Sequence, residues 1–190
     1  MFGCPGSGKG TQGVVLGQMP NLVHLAMGDI FRALDKASDI GKEFLSYSTK
    51  GLLVPDSLTV RVFRHHVDEQ AAAGKIHRDR QMLILDGIPR TPAQVELLKD
   101  FVEVKRIVHL EMEDRDALIA RLAARAAKSN RPDDADRTVI ENRINVYERE
   151  TFPVLEAFPK KLIARVNADQ APLAVLRDIA DCLVGFVPAI

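Results

Sequence analysis

GCPGSGKGTQ, residues Gly3 to Gln12, sets four glycines around a lysine and a threonine almost at the start of the chain. Closely spaced glycines let the backbone wrap an anion with its N–H groups inward, and a helix starting there adds the positive end of its dipole. Lys9 is then placed to reach the β- and γ-phosphates of a nucleotide. The stretch reads as a phosphate loop, with Pro5, Gly6, Ser7, Gly8, Lys9, Gly10 and Thr11 as its candidate ATP ligands. The general pattern has Ser or Thr directly after the lysine. Here Gly10 intervenes and the hydroxyl comes at Thr11, which points to a subfamily. A GTPase fits poorly, because no NKxD-like guanine-reading segment follows.

Outward from the loop, short apolar runs alternate with longer amphipathic stretches, the pattern of an α/β fold with a parallel sheet. The predicted strands are Leu22 to Ala26, Met82 to Leu85, Arg106 to Glu111 and Leu162 to Asn167. Predicted helices cover Gly10 to Met19, stopped by Pro20, and Asp56 to Ala73, bounded by Pro55 and Gly74. Asp114 to Lys128, Thr138 to Phe158 and Pro172 to Val184 complete the helical set. Ser129 to Asp134 is polar, holds one proline and lacks an apolar anchor, so it is expected to be a mobile surface loop.

Length and charge narrow the function classes. At 190 residues the chain holds one core domain with small insertions rather than two domains and a linker. Lys plus Arg and Asp plus Glu both number 26, so no overall field draws it to nucleic acid or anionic lipid. No stretch approaches the roughly 18 apolar residues of a membrane span. Cys4 and Cys182 are far apart and outside any metal-ligand spacing, which suits a reducing compartment. No signal-peptide pattern precedes the loop, so the expected location is cytoplasmic.

Five segments in register then carry a family resemblance. GCPGSGKGTQ, MGDIFR (Met27 to Arg32), GLLVPD (Gly51 to Asp56), LDGIPRTPAQ (Leu85 to Gln94) and RPDD with NRINVY (Arg131 to Asp134, Asn142 to Tyr147) resemble, in order, segments of the adenylate kinases. The resemblance implies a P-loop NTPase three-layer sandwich, a single kinase domain over residues 1–190. Residues 26–54 would form an insertion that binds the nucleoside monophosphate, and 124–134 a short lid. It implies transfer of the γ-phosphoryl group of ATP to AMP with Mg²⁺, by a monomer. Phosphoryl transfer leaves the protein mainly positioning and charge neutralisation, for which arginine's planar, permanently charged fork is suited. By resemblance Arg32 and Arg90 hold the AMP phosphate, Lys9 and Arg125 hold ATP phosphates, and Arg121, Arg131 and Arg143 close around the transfer zone. Taken alone, Arg121 and Arg125, four apart on one helix face, also suit a solvated basic surface.

Asp86 follows an apolar strand and therefore stands at the carboxyl edge of the sheet. By resemblance it orders Mg²⁺ through water; from the residues alone it could equally hold the loop's lysine or threonine. Gly87, Ile88 and Pro89 form the turn that aims Arg90. Gln94 offers a donor and an acceptor that match the N1 and N6 edge of adenine, and the resemblance places it at the base. Leu52, Leu53 and Val54 would line the base pocket. Met27 stands where adenylate kinases commonly have threonine, which keeps a UMP/CMP kinase as the alternative. The lid lacks the four cysteines with which some relatives bind zinc, so no zinc is expected. Only Met1 and Phe2 precede the loop, where this fold has a central strand of about five residues buried on both faces. That first strand is expected to be largely missing, its neighbours to lose a ladder partner, and the native start to lie upstream. A further alternative follows, a nucleotide-binding protein that is inactive for lack of that strand.

Overall fold

A two-residue strand runs through the phosphate loop into a helix, and the other elements are laid out around that turn. The structure, a computed structural model, describes residues 1–50, 52–128 and 136–187. β1 (Phe2–Gly3) leads to α1 (Lys9–Leu16), β2 (Leu22–Ala26), α2 (Met27–Ala33), α3 (Asp39–Ser48) and α4 (Asp56–Ala72). β3 (Met82–Asp86), α5 (Pro92–Leu98), β4 (Ile107–Glu111), α6 (Arg115–Lys128), α7 (Arg137–Val146), β5 (Ile163–Asn167) and α8 (Pro172–Leu183) follow. The four apolar runs are strands where their composition placed them. α2, α3 and α5 are additional short helices. The expected loop at 129–134 lies outside the described residues.

All ladders are parallel, as helical crossovers between strands require. β2 pairs with β3 from Leu22↔Met82 to Ala26↔Asp86, so Asp86 and the residue before Met27 end side by side at the carboxyl edge. β4 pairs with β5 from Ile107↔Ile163 to Glu111↔Asn167. β1 pairs with β4 at Phe2↔His109 and Gly3↔Leu110. Among the described residues no ladder joins β1 to β3: the strands fall into the sets β1-β4-β5 and β2-β3. One link across that break is the Met1 amino group, which donates to the Leu85 carbonyl at 2.6 Å. Of the two neighbours expected to lose a ladder partner, β4 keeps β1 at two positions, and β3 has no ladder with it among the described residues.

Burial follows the pattern of a sheet covered on both faces. Leu25, Met27, Phe31, Leu58, Phe63 and Ile88 belong to a core under α2, α4 and α5. Leu16, Ile84, Val108, Leu110, Val166 and Ile179 belong to a second, between the sheet and the α1–α8 pair. A third joins Cys4 to Leu122 of α6 and Ile144 of α7.

The helix expected over Thr138 to Phe158 is instead three geometries. α7 ends at Val146, Tyr147–Thr151 is a wide π turn, and Phe152–Ala157 is a tight 3₁₀ turn. Pro153 is the reason: it has no N–H to give the carbonyl four residues back, and its ring crowds that carbonyl. The ladder widens ahead of it and tightens after it.

Gly13 shows how closely α1 lies on β2. A Cβ there would stand 2.3 Å from Nε2 of the His24 ring. Gly13→Ala gains about 1 kcal/mol of helix propensity but must displace a mostly buried ring, an overpacking cost of about 1–3 kcal/mol. The expected net result is a lower melting temperature, read by thermal unfolding; a variant at least as stable as the wild type contradicts the packing described.

Candidate active site

The phosphate loop, β3's carboxyl edge and α6–α7 meet at one cleft of about 1050 Å³. Its floor is the loop itself. Gly6 and Gly8 take positive φ, Gly8 caps α1, and Pro5, Ser7, Gly10 and Thr11 border the same space. Ser7 Oγ is buried and finds no hydrogen-bond partner in the protein. Lys9 Nζ donates to the Gly3 carbonyl at 2.6 Å and the Cys4 carbonyl at 3.2 Å. Burial pulls the Lys9 ammonium below the ordinary lysine value, against the attraction of Asp86.

Asp86 is the buried anion among these cations. Burial pushes its carboxyl up, but His24, Lys9, the Met1 amino group and Arg90 together bring it down to about 2. His24 Nε2 stands 3.8 Å from Oδ2, too far for a hydrogen bond. Asp86 thus remains an anion across the whole working pH range.

The acceptor-side candidates come from the turn after β3 and from α2. Gly87 takes a φ of +81°, which favours glycine, and Arg90 lies over it. Arg32 Nη2 donates to Asp29 Oδ1 at 2.5 Å on the same helix. Met27, 2% exposed, borders the cleft together with Leu52, Leu53, Val54, Pro89 and Gln94. Ile88 does not: it is 3% exposed and belongs to the first core. Gln94 Oε1 accepts from the Arg90 N–H at 2.7 Å and its Nε2 donates to Asp56 Oδ1 at 2.8 Å.

On α6 and α7, Arg121, Arg125 and Arg143 all border the cleft. Arg121 Nη1 donates to the Ala168 carbonyl at 3.2 Å, and its Nη2 is 3.6 Å from Asp169. Both helix-face arginines thus border the cleft, although the Arg121 side chain is still 41% exposed. Arg131 lies outside the described residues, as does most of the expected lid. Asn142 Nδ2 on α7 donates to the Lys50 carbonyl past the end of α3, at 2.6 Å.

Comparison with known proteins places this arrangement. The Adenylate kinase family model matches residues 1–163. The chain belongs to the adenylate kinase family. An adenylate kinase of Flavobacterium psychrophilum is 36% identical over 83% of this chain and 82% of its own length. One from a Synechococcus species is 34% identical over 97% and 95%. A third, from Kocuria rhizophila, is 35% identical over 88% of each chain.

The adenylate kinase site also holds residues that sequence reasoning left unassigned. Phe31 and Phe44 stack at 4.9 Å with planes 4° apart, and both border the cleft. Tyr147 and Thr151, in the π turn, border it too. The Tyr147 hydroxyl is 3.1 Å from His109 Nε2, and His109 Nδ1 is 3.2 Å from Glu111 Oε1. Glu111 accepts from Nδ1–H, which leaves Nε2 to accept from the tyrosine. Burial lowers the imidazole, against the pull of Glu111, and raises the phenol, the directions that tautomer requires. A signal for Tyr147 existed: it is four residues after Arg143 and so on the same helical face.

Proposed function

We infer that the chain transfers the γ-phosphoryl group of ATP to AMP, producing two ADP. The observation that carries this reading is the single cleft bordered by a phosphate loop, by Asp86, and by arginines from α2, the turn before α5, α6 and α7. Those cations suit a triphosphate on the loop and a separate monophosphate facing it. Lys9 and Arg125 take ATP phosphates, Arg32 and Arg90 the AMP phosphate, and Arg121, Arg131 and Arg143 surround the transferred group. The unpartnered Ser7 Oγ inside the loop fits a phosphate oxygen as its partner. Catalysis consists of aligning donor and acceptor and neutralising charge as it spreads over the transferred group. No general base is needed.

Mg²⁺ enters with ATP, and the residues present suit that mode. Among the described residues no group of three His, Cys, Asp or Glu side chains could hold a metal directly. Asp86 is instead one ionised carboxylate at the loop's edge, suited to ordering the water of a hydrated ion. Mg²⁺ carried in with ATP would supply charge neutralisation for the transferred group.

Within one domain, residues 26–54 form the arm that receives AMP, and 124–134 the lid that excludes water over ATP. α2 and α3 lie in the first of these and supply cleft residues such as Arg32 and Phe44, which supports that division. The protein works as a monomer in the cytoplasm, with unpaired thiols and without structural zinc. Among the described residues no helix is long and apolar enough to cross a membrane.

The test is initial-rate phosphorylation of AMP, UMP, CMP and GMP measured in parallel with MgATP. AMP is expected to lead by at least about 100-fold in kcat/KM. Turnover led by UMP or CMP overturns the acceptor, and binding of a bisubstrate dinucleotide without any turnover overturns the enzyme.

A further inference from the structure

Gln94 is held by partners that cannot exchange roles. The backbone N–H of Arg90 can only donate, and it meets Gln94 Oε1. The Asp56 carboxylate can only accept, and it meets Nε2. Thr91 closes the circuit: its hydroxyl accepts from the Gln94 N–H at 3.2 Å and donates to the same Asp56 Oδ1 at 2.8 Å. Gln94 is 1% exposed, so a reversed amide would leave the groups facing Arg90 and Asp56 unpaired. Turned over, the amide would face N–H against N–H at Arg90 and oxygen against carboxylate at Asp56.

One N–H on Nε2 and one lone pair on Oε1 remain beyond these contacts. They match a base with an acceptor at position 1 and a donor at position 6, as in a 6-aminopurine. A 6-oxopurine presents a donor at position 1 and an acceptor at position 6, the reverse pattern. An amide free to turn would read both bases; a locked one reads the first alone.

We propose that Asp56 is a specificity-determining positioning residue: by locking the Gln94 amide it makes the acceptor site take 6-aminopurine and refuse 6-oxopurine monophosphates. This rests on the reading that Gln94 faces the acceptor base. A site built to pair a polar edge rejects a mismatched one strongly because buried groups are left unpaired. At Asp56, which opens α4, a purely structural role would instead be stabilisation of the helix start.

The experiment compares AMP with IMP, which differ only at positions 1 and 6, in the wild type and in Asp56→Asn. The wild type is expected to favour AMP by about 100-fold or more in kcat/KM. Asp56→Asn is expected to reduce that ratio about tenfold or more, through KM rather than kcat. Purine riboside 5′-monophosphate, which keeps the N1 acceptor and lacks the amine, should fall between AMP and IMP in the wild type. Asp56→Ala, checked for folding by thermal melting, is the second variant should asparagine prevent folding. A wild type that uses IMP within about threefold of AMP overturns the lock. Variants that lose activity toward AMP and IMP alike, with an unchanged ratio, reduce Asp56 to helix support and overturn the proposal. Gln94→Ala separates the two readings. If it leaves the AMP/IMP ratio intact, Gln94 does not read the base; if it collapses the ratio while the Asp56 variants do not, only the role of Asp56 fails.

Discussion

Lys9→Met lowers kcat by on the order of 10³-fold or more while the chain stays folded. Methionine keeps most of the stem's volume and removes the charge. The ammonium now donates to the Gly3 and Cys4 carbonyls, inside the loop that would hold the phosphates. Charge on the transferred group and the leaving oxygen grows in the transition state, so a cation fixed beside them contributes more there than in the ground state. The loss should therefore appear in kcat more than in KM.

Stability is expected to move little, because two effects oppose. Asp86 loses one of the cations that hold it ionised, but the cost of burying the ammonium disappears with it. Steady-state kinetics with ATP and AMP varied separately, together with a thermal melt, check both halves. Turnover within tenfold of the wild type would remove the lysine from the proposed mechanism.

The loop was legible because ten consecutive positions carry its physics, and none depends on a distant partner. The strands were legible for a related reason: a parallel strand covered on both faces is a plain apolar run, as MLIL before Asp86 is. Helix starts at Ser38 and Thr91 carried side-chain caps that the sequence also displays, yet the helices they open are only 10 and 7 residues long. Over so few residues the apolar period barely repeats, and both went unassigned.

At Pro153 the opposite happened. One helix was expected over Thr138 to Phe158, and the missing N–H broke it into three geometries, with Tyr147 and Thr151 of the π turn bordering the cleft. Pairings such as Asp56 with Gln94 and His109 with Tyr147 join residues 38 apart. A single sequence carries no mark of such partners, because they are created by packing. Ile88 is a smaller case: its place in the LDGIPR turn put it near the acceptor, but the first core takes its side chain.

Asp86→Asn is expected to cost about 2 kcal/mol of stability at neutral pH, and the gap from the wild type to narrow in acid. Burial by itself would raise this carboxyl above its ordinary 3.8, yet His24, Lys9, the Met1 amino group and Arg90 bring it to about 2. A carboxyl with a lower pKa folded than unfolded favours the folded state wherever it is ionised. Its contribution is complete above about pH 4 and is lost as the pH falls toward about 2. A shift of nearly two pKa units at about 1.4 kcal/mol each gives about 2.5 kcal/mol as an upper bound, and His24, 3.8 Å away without a hydrogen bond, supplies less than its full share, which leaves about 2 kcal/mol. Asparagine keeps the shape and cannot ionise, so the variant lacks this pH dependence. Turnover should also fall, on the order of 10²-fold, if Asp86 orders the water of MgATP as proposed. Urea unfolding of both proteins at several pH values between 7 and 3 reads the stability difference. A difference that is absent at pH 7, or that fails to shrink toward pH 3, would show that the cations around Asp86 do not hold it as an anion.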